Sequence, residues 1–376
     1  MIGPIMELKR GIVIDKCQPM GIPPSESARI KPIDMEIIKN IGADHVKVLF
    51  TPSSFIENDH LDYSKLLYIE EVVNMAIDEH LHCLICIHPE APFKKDYLAS
   101  AERFEVLLNI YDELSTWIGS KWNENEIAFQ IMTEPFANYT DWNEMHPKLW
   151  SIVRENMPHH TLVLSGDRVG HLFGLLSMIP VDDDNVYYGY TSYDPFAFTL
   201  QSWNEFFCGT SKDLNCIGHI PYPASPEIVE SRMDDILSTV PDEFKESAKN
   251  YVKKYGDGEY QQGNHGFFNR EWHDKRLSWV DDWRKTHGKN LPVLCNEFGV
   301  MDHIMGRKYG GPGCLPQERL LFLKDIREMM EKHNIGWSYW SYNETFTIFD
   351  PEKRHPFGHD DESLLDTKVL KALGLV

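Results

Sequence analysis

The chain has 376 residues, a formal net charge of −21 at pH 7 and a sequence pI near 5.2. This acidity disfavours a nucleic-acid partner, because no cluster of lysine and arginine longer than two residues offsets phosphate repulsion. No run of about 18 apolar residues is present to span a membrane. Since 42% of the residues are hydrophobic, we expect a globular protein with one large core.

The seven cysteines are an odd number spread thinly, and residues 1–11 lack the long apolar core of a signal peptide. Both features favour a cytoplasmic protein; a secreted protein is the alternative if a signal peptide has been removed. Cys83 and Cys86 form a CxxC motif within residues 81–88, but a spacing of three sends strand side chains to opposite faces. We therefore expect buried thiols without a metal, and no cofactor.

Eight apolar segments are typical of β-strands, and amphipathic segments follow most of them. The predicted strands cover residues 10–17, 45–50, 81–88, 127–132, 161–166, 185–190, 291–297 and 335–342. The predicted helices cover residues 32–42, 63–80, 100–122, 141–156, 170–178, 226–238, 241–255, 271–286, 316–333 and 362–373. This order predicts the α/β class and a closed parallel (β/α)8 TIM barrel, as a single domain over residues 1–376.

A long insertion separates strands six and seven. Its residues 193–290 number about a hundred, far more than one helix requires. Loops that follow barrel strands form the active-site face, so we expect this extended region to line one side of the cleft. An oligomer contact is the alternative role, and the oligomeric state is not predicted.

Two of the predicted strands end in a glutamate. Residues 127–135, IAFQIMTEP, bring Glu134 to the end of strand four, and residues 291–299, LPVLCNEFG, bring Glu297 to the end of strand seven. Glutamates at two strand ends of one barrel can face each other across one pocket. A single such residue would equally fit a salt bridge or a loop cap, but two in matching positions indicate a catalytic pair.

Further polar and aromatic side chains at the strand ends fit glycoside hydrolysis, which needs one protonated acid and one carboxylate. Aromatic rings suit a sugar because its apolar face packs on them. A metal-dependent barrel hydrolase or deacetylase is disfavoured, since no HExxH motif occurs and the HxH at residues 80–82 lies where strand three begins. The additional candidates are Lys47, His88, Thr133, Thr191, Tyr193, Asp194, Trp337 and Trp340.

From about residue 10 to its end the chain resembles glycoside hydrolase family 5, the cellulase and mannanase family. The resemblance rests on TEPF after strand four, YTSYDPFAFT after strand six, NEFGV after strand seven and GWSYWSYNE in strand eight. It implies a (β/α)8 barrel and a retaining double displacement, with Glu134 as acid/base and Glu297 as nucleophile. It also implies that Tyr193 hydrogen-bonds the nucleophile, that His88 lines the −1 subsite and that Trp340 is its sugar platform.

Three positions depart from the family's pattern: Lys47 replaces an arginine, Thr133 an asparagine and Thr191 a histidine. Lysine lacks the planar donor fork of arginine, and Thr133 is shorter than the group that would contact the 2-substituent of the sugar. Either the sugar at the −1 subsite is unusual or the protein is a weakened relative. We favour the unusual sugar, because both glutamates and the tyrosine are present.

The sequence therefore predicts a retaining β-glycosidase that acts on an oligosaccharide or a small glycoside. The three substitutions leave one alternative from another class, a non-catalytic carbohydrate-binding protein on the same barrel. The sugar, the linkage and the choice between exo and endo action are not predicted.

Overall fold

The central element of the structure is a closed barrel of eight parallel strands. The computed structural model describes residues 4–14, 29–137, 140–203, 215–259, 266–288, 290–343, 346–353 and 361–376. The strands are β1 Arg10–Ile14, β2 His45–Phe50, β3 His82–Ile87, β4 Ile127–Gln130, β5 Thr161–Ser165, β6 Val186–Ser192, β7 Val293–Phe298 and β8 Ile335–Trp340. Each pairs with the strands before and after it, and β8 pairs with β1. The predicted (β/α)8 barrel is confirmed.

Helices follow most of the strands and cover the outside of the barrel. They are α1 Pro32–Asn40, α2 Tyr63–Asp78, α3 Ala91–Tyr97, α4 Ala101–Lys121, α5 Trp142–Asn156, α6 Leu172–Leu176, α7 Phe196–Thr199, α8 Pro226–Leu237, α9 Lys245–Gly256, α10 Arg270–Thr286, α11 His303–Tyr309, α12 Pro316–Lys332 and α13 Thr367–Ala372. The sequence did not predict α3, α7 and α11, which are too short to show a helical period. Each of them lies close behind a strand, and residues 15–17 of the first predicted strand lie outside the described residues.

Apolar side chains fill the barrel at the end where its strands begin. Leu84 and Tyr187 belong to a buried cluster to which Met6 and Leu8, just before β1, also belong. The Leu8 amide donates to the Tyr187 hydroxyl at 3.1 Å. The segment that precedes β1 therefore closes this end, and a site inside the barrel opens at the end where the strands finish.

A second apolar layer lies nearer to that open end. Val13, Leu49 and Cys86 form it, with Trp340 packed against them. Cys83 belongs instead to the core between the strands and the helices. Both thiols are buried and neither forms a disulfide. Their different clusters confirm that this CxxC pair divides between the two faces of its strand.

The insertion between β6 and β7 contains α7 to α10. Helices α8 and α9 pack on each other, and α10 packs against α6 and α12 of the barrel wall. Aromatic rings of Phe198, Tyr222, Phe268 and Phe322 have centroid separations between 4.8 and 5.7 Å and join the insertion to α12. Residues 204–214, 260–265 and 289 lie outside the described part, and the role of the insertion at the cleft stays a prediction.

None of the described helices is both long enough and apolar enough to cross a membrane.

Truncating a side chain inside the barrel should weaken the fold. We expect Leu84→Ala to lower the free energy of unfolding by about 2–5 kcal/mol, because it removes packing and leaves a cavity. Leu67→Ala, at a position that is 65% exposed, should change it by less than about 0.5 kcal/mol. Denaturant unfolding measures both, and equal losses would contradict a filled barrel interior.

Candidate active site

Glu134 and Glu297 lie at the open end of the barrel. Glu134 follows the last residue of β4 by four positions, and Glu297 is the penultimate residue of β7. Burial and the charge of Glu297 raise the pKa of Glu134 to about 7, while the ammonium groups of Lys94 and Lys47 oppose the rise. The charge of Glu297 therefore acts on the protonation of Glu134, as expected for two carboxyl groups that face one pocket.

A bulge in β7 directs Glu297 into the barrel. Leu294 faces the interior and Cys295 faces the helices, so regular alternation would turn Glu297 outward as well. The register instead shifts on both sides of β7, and Cys295 and Glu297 pair with the consecutive residues Tyr190 and Thr191 of β6. The extra residue restores an inward direction for Glu297, the kind of reorientation that bulges produce near active sites.

Lys47 on β2 pairs with Glu297 inside the barrel. Its ammonium nitrogen donates to Glu297 Oε1 at 2.7 Å and to the carbonyl oxygen of Asn296 at 3.2 Å. The Lys47 side chain has no exposed surface, and that of Glu297 is 3% exposed. Burial by itself lowers the pKa of Lys47, but the nearby Cys86 and Glu297 outweigh it and the net shift is upward. This ion pair stabilises Glu297 as a carboxylate.

Tyr193 provides a second donor to Glu297. Its hydroxyl lies 3.3 Å from Glu297 Oε2. Burial, together with the charge of Glu297, raises the pKa of Tyr193 well above its ordinary value. The phenol therefore stays protonated and available to donate.

A buried network fixes the residue next to Tyr193. Asp194 is hydrogen-bonded to His171 Nε2 and, at 2.7 Å, to Arg276 Nη2. Burial by itself would raise the pKa of Asp194, but Arg276 and His171 lower it to about 2. Because His171 caps α6 and Arg276 lies on α10, the network ties the segment carrying Tyr193 to both helices.

His88 and Trp340 form the partly exposed aromatic side of the site. Their ring centroids are 6.4 Å apart with an interplanar angle of 37°, and both side chains are half-buried. Burial lowers the pKa of His88 to about 4, although the charge of Glu297 opposes it. His88 is therefore neutral near neutral pH, and it can donate a hydrogen bond to a sugar hydroxyl or accept one from it.

The three positions that depart from the family's pattern are all buried. Lys47 and Thr133 have no exposed surface and Thr191 is 6% exposed. The Thr191 hydroxyl donates to the carbonyl oxygen of Val169 at 3.3 Å. A Cβ added to Gly170 would lie 3.2 Å from Thr191 Oγ1 and 3.4 Å from Glu134 Cγ. These three side chains therefore offer little or no exposed surface to a ligand.

Trp337 requires a correction. The sequence places it among the substrate contacts, but its indole is fully buried and packs edge-on against Phe298 in the outer core. Trp340 lies three residues further along β8 and therefore faces the other side of the sheet. Trp337 has no surface to offer a ligand, and we leave it out of the proposed site.

Sequence reasoning missed Lys94 and His171. Lys94 on α3 donates to the carbonyl oxygen of Glu134 at 3.0 Å, and its charge acts on both glutamates. His171 lies beside Thr191 through a β-bridge, but its ring nitrogens bond to Asp194 and to the amide of Phe173. The HPEAPFKK segment contained the signal for Lys94, a lysine close behind strand three; His171 gave no comparable signal.

A Ser-His-Asp chain also occurs inside the barrel. His45 bonds through Nε2 to Ser338 Oγ at 2.8 Å and through Nδ1 to Asp44 Oδ1 at 2.6 Å. Ser338 and His45 have no exposed surface, so no substrate could reach this serine, and the chain is a structural feature. Within the ranges the structure describes, no three His, Cys, Asp or Glu side chains are grouped to hold a metal ion.

Comparison with protein families and curated proteins gives consistent relatives. The model of the cellulase family, described as glycosyl hydrolase family 5, matches residues 31–345. Endoglucanase 3 of Fibrobacter succinogenes is 27% identical over 61% of this chain and 31% of its own length. Endoglucanase H of Acetivibrio thermocellus is 29% identical over 42% of this chain and 17% of its own length. The chain thus spans about a third or less of these two relatives, but it aligns with 86% of Endoglucanase C of Acetivibrio thermocellus at 22% identity, over 85% of its own length.

Solved structures share the same fold. Cellulose synthase subunit Z from Clostridioides difficile superposes with a TM-score of 0.70 at 19% identity, covering 98% of this chain and 99% of that one. Thermotoga maritima Cel5A in complex with cellobiose superposes with a TM-score of 0.67 at 20% identity, covering 97% of each chain. At these identities the likeness establishes the barrel and its topology.

The ion pair between Lys47 and Glu297 predicts a loss of stability when its cation is removed. Lys47→Met would leave a buried carboxylate without its cation, so we expect the free energy of unfolding to fall by about 3–5 kcal/mol. Denaturant unfolding measures the loss.

Lys65→Met is the matched control, since Lys65 forms its ion pairs with Glu57 and Asp62 on the surface. This change should affect stability little. A Lys47→Met loss that is no greater would contradict the buried pair.

Proposed function

This chain belongs to glycosyl hydrolase family 5, and we propose that it hydrolyses β-glycosidic bonds with retention of configuration. Glu297 acts as the nucleophile and Glu134 as the acid/base. The substrate is a β-linked oligosaccharide or a small glycoside; the curated relatives aligned with it are endoglucanases.

The observation that carries the proposal is the contrast between the environments of the two glutamates. Glu297 receives the Lys47 ammonium at 2.7 Å and faces the Tyr193 hydroxyl at 3.3 Å, both of which favour the ionised form. Burial and the charge of Glu297 raise the pKa of Glu134 to about 7, which favours the acid. One carboxylate and one carboxylic acid around a single pocket are what a retaining glycosidase requires.

The first half of the reaction forms a glycosyl-enzyme. A Glu297 oxygen attacks the anomeric carbon while the bond to the leaving oxygen breaks, and Glu134 donates its proton to that oxygen, so the leaving group departs as an alcohol. Trp340 packs against the apolar face of the sugar. His88 hydrogen-bonds a hydroxyl of the same ring.

The second half releases the sugar. Glu134, now a carboxylate, takes a proton from water, and the water oxygen attacks the anomeric carbon as the bond to Glu297 breaks. Glu134 is thereby reprotonated and Glu297 is again ionised. Two displacements at one carbon leave the configuration unchanged.

The buried substitutions favour an unusual sugar at the −1 subsite. Thr133 has no exposed surface, so it offers nothing to the 2-substituent that the family's asparagine would contact. We therefore propose that plain glucosides and mannosides are not the only good substrates in a panel of aryl β-glycosides. Hydrolysis of glucoside and cellobioside at ordinary cellulase rates would contradict this reading of the pocket.

Removing the nucleophile tests the reaction type. We expect Glu297→Gln to lower kcat/KM for the best aryl β-glycoside by at least about 10⁴-fold, since no other group replaces the attacking oxygen. Proton NMR of early wild-type product should show the β-anomer first. Glu57→Gln, at an exposed position, should retain wild-type activity. Wild-type protein that binds sugars but shows no turnover would favour the non-catalytic binding protein, and α-anomer as first product would exclude retention.

The pKa of Glu134 predicts the alkaline side of the pH profile. The acid form is required for the first step, so kcat/KM should fall as the pH rises through about 7, the value to which burial and Glu297 raise the pKa of Glu134. A dinitrophenyl glycoside, whose leaving group needs no proton, should lose less activity over the same interval. The two profiles measured side by side decide this, and identical alkaline limbs would contradict the role of Glu134.

A further inference from the structure

A second ammonium group lies beside the catalytic pair. Lys94 is half-buried on α3, and its Nζ donates to the carbonyl oxygen of Glu134 at 3.0 Å. Lys47 in contrast bonds to the side chain of Glu297. The two cations thus contact different glutamates, and one of them does so through the backbone.

The backbone of Glu134 has a strained conformation. Its φ angle is +48°, in the left-handed region that costs a residue with a side chain about 1–2 kcal/mol. Pro135 follows, so the peptide after Glu134 has no N–H with which to hold the turn. Further along the chain, the Pro135 carbonyl oxygen accepts a hydrogen bond from the Val169 amide at 3.0 Å. The Ala137 amide donates to Asp167 Oδ1 at 3.0 Å. Lys94 thus holds the turn at the carbonyl of the residue that carries the carboxyl group.

The charge of Lys94 acts on the same residue. The groups whose charges bear on Glu134 are Glu297 on β7, Lys47 on β2 and Lys94 on α3, and Glu134 in turn acts on Tyr193 after β6 and Cys86 on β3. Lys94 itself faces Glu134, Glu297 and Glu90. Of the two cations, Lys94 opposes the protonation of Glu134 more strongly than Lys47 does.

We propose that Lys94 is a positioning residue for the acid/base: its bond to the Glu134 carbonyl oxygen holds the left-handed turn that carries the Glu134 carboxyl group. The inference rests on the proposed function for the roles of the glutamates. The contacts of Lys94 do not depend on turnover, so they can be tested separately.

The first experiment titrates the Glu134 carboxyl directly. Carbon-13 NMR of protein labelled at glutamate carboxyl groups follows it, and the resonance is assigned by its loss in Glu134→Gln. In Lys94→Met we expect the midpoint to rise by roughly half a unit to one unit, because a nearby positive charge has been removed. Lys94→Arg should keep the wild-type midpoint. The matched control is Lys95→Met, which removes the same charge from an exposed neighbour and should leave the midpoint unchanged.

A second variant separates the two effects of Lys94. Lys94→Gln keeps an N–H donor for the Glu134 carbonyl but carries no charge, so we expect it to share the shifted midpoint of Lys94→Met. For glycosides with poor leaving groups, kcat/KM should fall by about 10- to 100-fold in Lys94→Met and by less in Lys94→Gln. A dinitrophenyl glycoside should show a much smaller loss in both, since its departure needs no acid.

The outcomes distinguish this inference from the proposed function. If the Lys94 variants are folded and show the shifted midpoint, but the wild-type protein hydrolyses no glycoside, the proposed function is wrong and the contacts of Lys94 are supported. Normal turnover with an unmoved midpoint in both uncharged variants would overturn the role of Lys94. Equal loss of kcat/KM for good and poor leaving groups would also overturn it, because that pattern belongs to a merely structural residue.

Discussion

The arrangement of the site depends on one ion pair buried in the barrel, between Lys47 and Glu297. The two opposite charges are 2.7 Å apart and have almost no exposed surface. Removing either partner would leave an unpaired charge in the protein interior, which is strongly destabilising. One lysine ammonium group reaches both the carboxylate of Glu297 and the neighbouring carbonyl oxygen of Asn296. It also leaves the other carboxylate oxygen to Tyr193. Burial, together with the anion at this position, raises the pKa of Glu134 across the pocket.

Much of the barrel follows from the sequence because its signals are local. Apolar runs indicate where β4 and β7 lie, each with a glutamate near its end, and the CxxC in β3 divides between two faces as a period of two requires. The same rule separates Trp337 from Trp340, because a spacing of three positions places two side chains on opposite faces of β8.

The parts that sequence reasoning could not supply are non-local. The bulge in β7 is visible only in the pairing of that strand with β6 and β8, yet without it the alternation of side chains would point Glu297 at the helices. The contact of Lys94 depends on a seven-residue helix and on a backbone carbonyl in a left-handed turn. Neither the bulge nor the Lys94 contact has a recognisable pattern in the amino-acid sequence. The burial of Thr133 and Thr191 likewise cannot be predicted from the sequence. The same residue type at a strand end can be covered by neighbouring segments or exposed to solvent.

Apolar side chains fill the barrel at the end where its strands begin, and this determines the route by which ligands enter and leave the site. Met6, Leu8 and their partners occupy that end, so no passage runs through the barrel axis and the mouth above the glutamates serves both arrival and departure. In the double displacement that we propose, the incoming water therefore enters by the route through which the leaving alcohol departs. An alcohol that remains in this opening would compete with water for the same anomeric carbon.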